Sequence, residues 1–375
     1  MTIQGPSMTV NQTLSDEAIA HAVSLQQYSD GVVRRIIAQL NRTDASLAQA
    51  LAEALDRLPA DSFTVERLQL LLGQVGRINR DAYAAVSAAL QVELEGLAQH
   101  EASYQASLFR ATVPAPVLVR FPIVSVSAEQ LYAAAMARPF QGRLLKDWAT
   151  DLDAGRMVQI RNAVRTGYLE GQSVSDIVKR VRGSRATKYA DGFLQRPRQD
   201  LATIIRSAVS HTAAVARDAF VDANGDIIKA VRWLSTLDAR TSAPCRIRDQ
   251  LQYTDQHKPI GHKVPWLQGP GKLHFNCRST SAPVTKSWRE LGIPIDDLTP
   301  AQRASMDGQV PGGMTYGEWL KRQPPSRQVQ VLGVERAAMM RDGATLDDFY
   351  SPSGKWLTLD ELGVRNSEDL ARLSA

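Results

Sequence analysis

The stretch VRWLSTLDARTSAPC, residues 231–245, is answered downstream by GPGKLHFNCRS, residues 269–279. The first segment starts apolar around Trp233 and then becomes polar, while the second ends in a His-x-x-Cys spacing. The apolar residues at 227–235 predict a strand. Residues 236–279 are rich in Pro, Gly, Asp, Arg and Lys, which predicts a long irregular loop. A loop of this length within a compact domain is usually functional or held by a special device.

Helical periodicity dominates on both sides of this loop. Apolar residues recur at helical spacing in residues 14–40, 45–58, 64–108, 127–137, 144–169, 173–181 and 200–223. Pro114, Pro116 and Pro122 interrupt the pattern, which predicts a linker or extended crossover. After residue 288, short helical segments alternate with Pro and Gly turns.

These patterns predict a mainly α protein with a small α+β, loop-rich module. An N-terminal helical bundle is followed by a long helix and short strands in the middle, and by short helices at the C-terminus. The predicted regions are a helical part at 1–112, a Pro-rich linker at 113–126, the module at 127–287 and a helical tail at 288–375.

The composition excludes several classes of protein. Hydrophobic residues make up 44% and charged residues 22%, which is ordinary for a globular chain and argues against wholesale disorder. No apolar run reaches the length of about 18 residues that a membrane span needs. Residues 1–10 lack the apolar core of a signal peptide. Two cysteines are too few for a disulfide-stapled secreted domain, so we expect a reducing cytosol or a particle assembled there.

Charge is distributed unevenly along the chain. Residues 155–289 carry 23 Lys and Arg against 10 Asp and Glu, whereas residues 1–154 carry 12 against 16 and residues 290–375 carry 9 against 13. A basic middle between acidic ends favours contact with a polyanion such as double-stranded DNA. The densest basic run, our candidate DNA-binding set, comprises Lys179, Arg180, Arg182, Arg185, Lys188, Arg196 and Arg198. The alternative is a solvated surface with no partner.

The two cysteines and a histidine form a candidate zinc site. Cys245, His274 and Cys277 offer thiolate and imidazole, the ligands that Zn²⁺ prefers, and a structural site needs a fourth. The fourth-ligand candidates are Asp238, Asp249, His257 and His262. The alternatives are a packed thiol pair, a disulfide, or a polar network without metal.

The polar-network alternative assigns structural roles to several residues of the loop. His274, Asn276 and Arg278 would hold the loop by hydrogen bonds, and Asp238 would pair with Arg240 across the turn. We expect Trp233 to anchor the core rather than to stack on a ligand.

Both halves of the opening motif, in this order, resemble the Mu F-like family of bacteriophage head morphogenesis proteins. That family carries a W-x-T-x-x-D-x-R segment, a polar loop and an ending in H-x-N-C-R. The positions that carry the resemblance include Arg206, Trp233, Asp238, Arg240, Asn276 and Arg278. The family has Arg-Thr-Glu in the preceding helix, whereas this chain has Arg206-Ser207-Ala208 and lacks the acidic member.

The resemblance covers roughly residues 150–285, with a softer likeness in the tail at 316–320 and 331–336. It implies a minor head protein that lies in the capsid interior or at the portal vertex, and in the host cytoplasm during assembly. The implied partners are the portal, other capsid proteins and packaged DNA, with no membrane, no small-molecule substrate and no catalysis.

Three rival functions remain at this point. A phage-encoded, metal-dependent nuclease needs a positioned base, and residues 240–289 offer only two carboxylates, Asp249 and Asp255. A sequence-independent DNA-binding protein fits the basic middle, since no helix-turn-helix or RNP pattern occurs. A pure assembly protein would use the helical first third for docking.

Overall fold

The computed structural model describes residues 9–57, 64, 68–70, 72–187, 189–294, 302–305, 308–311 and 313–363. The chain is mainly α-helical with a small antiparallel sheet, which confirms the predicted fold class. Helices α1 to α8 span Val10–Asp56, Gly73–Thr112, Ala115–Arg120, Ala128–Ala137, Leu145–Leu169, Val174–Arg182, Gln195–Ala223 and Ala243–Arg246. Helices α9 to α11 span Tyr316–Lys321, Pro325–Leu332 and Val334–Arg341. Strands β1 to β5 span Ile228–Leu234, Gln252–Tyr253, Thr280–Thr285, Gln302–Ser305 and Gly308–Pro311.

Helices α1 and α2 form a long antiparallel pair. Tyr28 and Arg35 of α1 both hydrogen-bond Glu93 of α2. About two helical turns before Tyr28, His21 of α1 contacts Glu101 of α2. Their apolar faces meet in a cluster that includes Val32, Ile36, Val86 and Leu90. Packing of amphipathic faces, rather than helix propensity, stabilises helices of this kind.

Helix α7 is the central element of the molecule. Its buried residues run almost without a break from Leu201 to Val221, so the helix is covered on nearly every side. The N-terminal half packs into the α1–α2 core, and Phe220 and Val221 pack beneath the sheet. A helix that is apolar around much of its surface is an interior helix.

The main sheet has the strand order β2-β1-β3, with both pairings antiparallel. Strand β1 follows α7 closely and has the burial pattern of a strand covered on both faces. Its last residues, Trp233 and Leu234, lie opposite Ser281 and Thr280 of β3. This register brings the loop leaving β1 and the loop entering β3 to the same edge of the molecule.

Two elements differ from the sequence expectation. The predicted helices at 14–40 and 45–58 are joined in a single helix, α1, which ends at Asp56, because residues 41–44 contain no Pro or Gly that would break it. Leu58 lies outside the described residues. The predicted linker at 113–126 contains the short helix α3, since Pro114 and Pro116 occupy its N-terminal end, where the missing N–H groups break no helical hydrogen bond.

The tail from residue 313 forms its own apolar cluster on the side of the loop. Tyr316, Trp319, Phe349 and Tyr350 are its buried aromatic residues, and Leu237 of the loop joins them. The prediction of short tail helices agrees with α9 to α11, while the β4–β5 hairpin was not predicted.

The hydrophobic clusters draw on distant parts of the chain. One cluster contains Val10 of α1, Phe109 of α2, Trp233 of β1 and Trp288. Side chains from both sides of the predicted boundaries at 112, 126 and 287 therefore share a core, and those boundaries stay predictions. None of the described helices combines the length and apolarity that crossing a bilayer requires.

Candidate metal centre and nucleic-acid interface

The loop at residues 236–279 is closed at its base by an ion pair. Because Leu234 lies opposite Thr280, Asp238 and Arg278 leave the sheet side by side. The Arg278 guanidinium binds the Asp238 carboxylate through both terminal nitrogens, with Nη2 donating to Oδ1 at 2.7 Å. A bidentate pair of this kind fixes orientation as well as charge.

The two cysteines and His274 meet directly above this pair. The Sγ atoms of Cys245 and Cys277 are 3.8 Å apart, and Cys245 Sγ lies 3.4 Å from His274 Nε2. In a tetrahedral Zn²⁺ site with Zn–S bonds of about 2.3 Å and a Zn–N bond of about 2.0 Å, these separations are about 3.8 Å and about 3.5 Å. The thiol–imidazole cluster (Cys245, His274, Cys277) therefore has the spacing of three corners of a zinc tetrahedron.

The His274 ring is oriented for metal binding by its other nitrogen. Nδ1 lies 2.9 Å from the Phe275 carbonyl oxygen, which accepts a hydrogen bond from Nδ1–H in the neutral ring. The lone pair on Nε2 then faces the two sulfurs, and the Ser242 hydroxyl donates to it at 2.7 Å. A backbone carbonyl behind a histidine ligand is the usual way in which proteins set its tautomer.

The two thiols are electronically unequal. Hydrogen bonding between them raises the pKa of Cys245 and lowers the pKa of Cys277 well below the ordinary thiol range, and burial raises the pKa of each. The hydrogen bond with Cys277 also raises the pKa of His274, against the effect of burial. Of the two thiols, Cys277 is therefore the one whose surroundings favour the thiolate form.

None of the four predicted fourth ligands joins the cluster. Asp249 accepts the backbone N–H groups of Ser235 and Tyr316, at 2.7 and 2.9 Å, and Asp238 is held by Arg278. His257 stacks on Trp266, with ring centroids 4.5 Å apart.

His262 is occupied through both ring nitrogens, by the Gln252 carbonyl and by the Val264 N–H. Among the described residues, the ligand group contains only Cys245, His274 and Cys277, and the Ser242 hydroxyl lies 2.7 Å from His274 Nε2.

A polar network holds the rest of the loop, in addition to the cluster. Arg248 is buried against Trp233 and donates to the carbonyls of Pro244 and Pro265. The tail reinforces it, since Tyr316 Oη donates to the Asp238 carbonyl and Tyr350 Oη to the Ala243 carbonyl, each at 2.7 Å. The expected side-chain pairing of Asp238 with Arg240 is wrong, because Asp238 accepts the backbone N–H of Arg240 and its ion-pair partner is Arg278.

The remaining motif residues have structural positions. Trp233 is fully buried and packs edge-on against Trp266. Asn276 has a left-handed backbone, with φ of 55°, and its N–H donates to the Ser207 hydroxyl at 2.9 Å. A short polar side chain tolerates this conformation better than most residues do. Arg206 pairs with Asp30 of α1 across a half-exposed surface.

The basic run forms a surface at the α6–α7 junction. Backbone N–H groups of Phe193 and Leu194 donate to the carbonyls of Arg180 and Val181, so the loop folds back on α6. Gly183 and Gly192 touch at the crossing, where a Cβ on Gly192 would lie 2.2 Å from the Gly183 nitrogen. Only glycine permits this close approach, which holds the two ends of the basic loop together.

The run divides into exposed and interior members. Lys179, Arg185 and Arg196 are exposed, and Arg180 pairs with Glu170 at 2.6 Å. Arg198 turns inward, where the buried Asp44 binds both it and Arg156. The contact of Arg198 with DNA stays a prediction, since Arg198 shares Asp44 with Arg156. Lys188 lies outside the described residues.

Beside this surface lies a polar cavity of about 560 Å³, which we name the arginine cleft. Arg182, Arg198 and Arg206 line it together with polar side chains of α1 and α7. The Arg182 guanidinium lies over the Tyr189 ring, 4.7 Å from its centroid. Asn41, Asp44, Tyr189, Gln195, Gln199 and Thr203 are its other polar lining residues. Guanidinium groups in a groove are suited to phosphate oxygens.

Sequence reasoning missed three buried charged residues that shape these sites: Asp44, Arg156 and Arg248. Asp44 and Arg156 are 112 residues apart and belong to no motif, so the sequence carries no signal for their pairing. Comparison of the chain with protein-family models, with curated proteins and with solved structures found no match.

Proposed function

We propose that this chain is a minor head protein of a tailed bacteriophage, which associates with the portal or prohead and contacts packaged double-stranded DNA without sequence preference. The observation that carries the proposal is the convergence of the two motif halves. Trp233, Asp238 and Cys245 of the first half meet His274, Cys277 and Arg278 of the second in one site. The contacts between the two motif halves support the view that they belong to one functional unit.

The surface charge supports the DNA contact. Lys179, Arg185 and Arg196 are exposed near the arginine cleft, and the segment that contains them carries the excess positive charge of the chain. Lys and Arg contacts to phosphates give affinity that is independent of sequence and falls steeply with salt. Such contacts suit a protein that meets whatever genome is packaged.

In this proposal the thiol–imidazole cluster is a structural device. A zinc ion held there would tie α8 to the entry of β3 across the long loop. The chain's own residues supply the rest of the bracing, through the Asp238–Arg278 pair and Arg248. No catalytic step is proposed for this site.

The nuclease alternative is weaker on the same geometry. A metal nuclease needs a base close to an open coordination position. The nearest loop carboxylates, Asp238 and Asp249, are bound by Arg278 and by backbone N–H groups. Both are therefore committed to holding the loop.

Quantitative mass spectrometry of purified phage particles and proheads tests the proposal. A minor head protein is expected at a few copies per particle, with a higher level in the infected-cell lysate. Absence from both proheads and mature particles would contradict the proposal, and direct nuclease and DNA-binding assays would then decide between the rivals.

A further inference from the structure

A second group of metal-binding side chains lies away from the loop, between α1 and α2. His21 of α1 and Glu101 of α2 are buried, and His100 lies next to Glu101 on the exposed side. One nitrogen of each imidazole and a Glu101 oxygen all lie within 4.8 Å of one another. His21 Nε2 is 2.5 Å from Glu101 Oε1.

Glu101 has an unused oxygen at this place. The side chain is 0% exposed, and its Oε2 has no hydrogen-bond partner among the described residues. A buried carboxylate oxygen without a partner is costly, because it has lost its water and gained nothing in exchange. The orphaned oxygen therefore points to a ligand that the protein atoms do not supply.

The imidazoles are held in place by stacking. The His21 ring lies 3.9 Å from the Tyr104 ring, centroid to centroid, and 5.8 Å from the His100 ring, with both pairs nearly parallel. Burial, followed by the nearby charges of Glu17 and Glu101, raises the pKa of Tyr104 to about 12. Tyr104 is therefore a neutral platform that fixes the His21 ring at neutral pH.

A cavity gives access from solvent. It has a volume of about 300 Å³. Its lining residues are His21, Ser24, Leu25, Tyr28, Gly96, Leu97 and His100. A metal bound by three protein groups keeps one coordination position for water or another small ligand. The cavity reaches His21 and His100, so a cation at these two ligands would be accessible from it.

Charged residues of α7 and α1 lie near the group formed by His21, His100 and Glu101. Burial lowers the pKa of Arg217 of α7, and the negative charges of Glu101 and Asp218 raise it, so this guanidinium faces Glu101 as well as Asp218. Glu17 lies on α1 near Tyr104. Asp218 forms an ion pair with Lys272, and Glu101 Oε2 and Arg217 Nε are both without a hydrogen-bond partner among the described residues.

We propose that His21, His100 and Glu101 form a second metal site, for a divalent transition cation such as Zn²⁺ or Co²⁺. Two imidazoles and one carboxylate are a ligand set for Zn²⁺ and for other first-row divalent ions. Imidazole and carboxylate groups bind a cation only in their deprotonated forms, so the affinity of this site for the cation decreases at acid pH. The site would join α1 to α2 at the end of the hairpin nearest the sheet.

Cobalt titration of the full chain, after chelator treatment, tests this site separately from the thiol–imidazole cluster. Cobalt bound to thiolate gives strong near-ultraviolet charge-transfer absorption, whereas cobalt bound to His and Glu gives only weak visible bands. We expect a second equivalent of cobalt that adds visible bands without further charge transfer.

His100→Gln is the decisive variant, because His100 is exposed and its loss leaves the helices packed. We expect this variant to lose the second equivalent, or to bind it at least about tenfold more weakly, while the charge-transfer band is unchanged. His257→Gln, which alters a histidine outside both groups, is the matched control and should bind like the wild type. A His100→Gln chain that binds both equivalents with wild-type affinity would overturn the proposal, as would a wild-type chain with no cobalt beyond the thiolate-bound ion.

Discussion

His211 is a buried imidazole at the centre of α7, and its environment makes folding sensitive to acid. Its Nε2 lies 3.1 Å from the Ala135 carbonyl oxygen, and its ring packs 5.5 Å from that of Phe140. Burial lowers its pKa from 6.5 to about 4. The unfolded chain therefore binds the proton more readily than the folded chain does. The contribution of His211 to stability is complete above pH 6.5 and is lost as the pH falls toward 4, by at most about 3 kcal/mol.

The prediction is that His211→Gln flattens this acid dependence. Glutamine retains a donor for the Ala135 carbonyl but does not titrate. We expect the free energy of unfolding, measured by denaturant titration, to fall less steeply between pH 6.5 and 4.5 in the variant than in the wild type. Parallel pH profiles for the two proteins would show that His211 is not the responsible group.

At the scale of an element, the loop between β1 and β3 depends on the thiol–imidazole cluster. Removing a metal from this cluster would leave a buried Cys277 thiolate without its counter-charge. We expect a strong chelator to lower the melting temperature by several degrees and to open trypsin cleavage after Lys263, which is exposed in the loop and precedes Val264.

Cys277→Ser provides the comparison for this prediction. The variant should match the chelated wild type in melting temperature and cleavage, and should not respond to chelator itself. Cleavage in α1 is the internal control and should remain slow throughout. A wild-type loop that is equally resistant with and without chelator would favour the polar network as its sole support.

Elements were more predictable than the contacts between them. The apolar spacing of α7 follows from a local pattern, because a helix face is determined by neighbouring residues. The approach of Cys245 to His274 and Cys277, which are 29 and 32 residues away, was predicted from their shared ligand chemistry. The continuity of α1 past residue 44 depends on Asp44, which is satisfied by Arg156 and Arg198 from far along the chain. The fourth metal ligand could not be predicted for the same reason. Asp249 binds the Tyr316 N–H and His262 binds the Gln252 carbonyl, and the sequence spacing indicates neither contact.

At the scale of the whole molecule, the basic middle faces outward at the α6–α7 junction. We expect binding to duplex DNA of random sequence, with log Kd linear in log salt concentration. The double change Arg185→Gln with Arg196→Gln removes two exposed charges and should reduce the salt slope by about two. Arg341→Gln, an exposed arginine of α11, is the control. An equal loss of DNA affinity per removed charge in the two variants would indicate that only the net charge of the protein matters.

Helix α1 also determines how the molecule responds to a pulling force. Its 47 residues extend about 70 Å, and along that length it contributes Leu14, Ile36 and Leu51 to three separate hydrophobic clusters. Tension applied at Val10 is carried along the helix axis and loads all three clusters in shear. Tension applied at the end of the tail peels its own cluster away first. We therefore expect the chain to unfold at a lower force when it is pulled from Leu362 than when it is pulled from Val10.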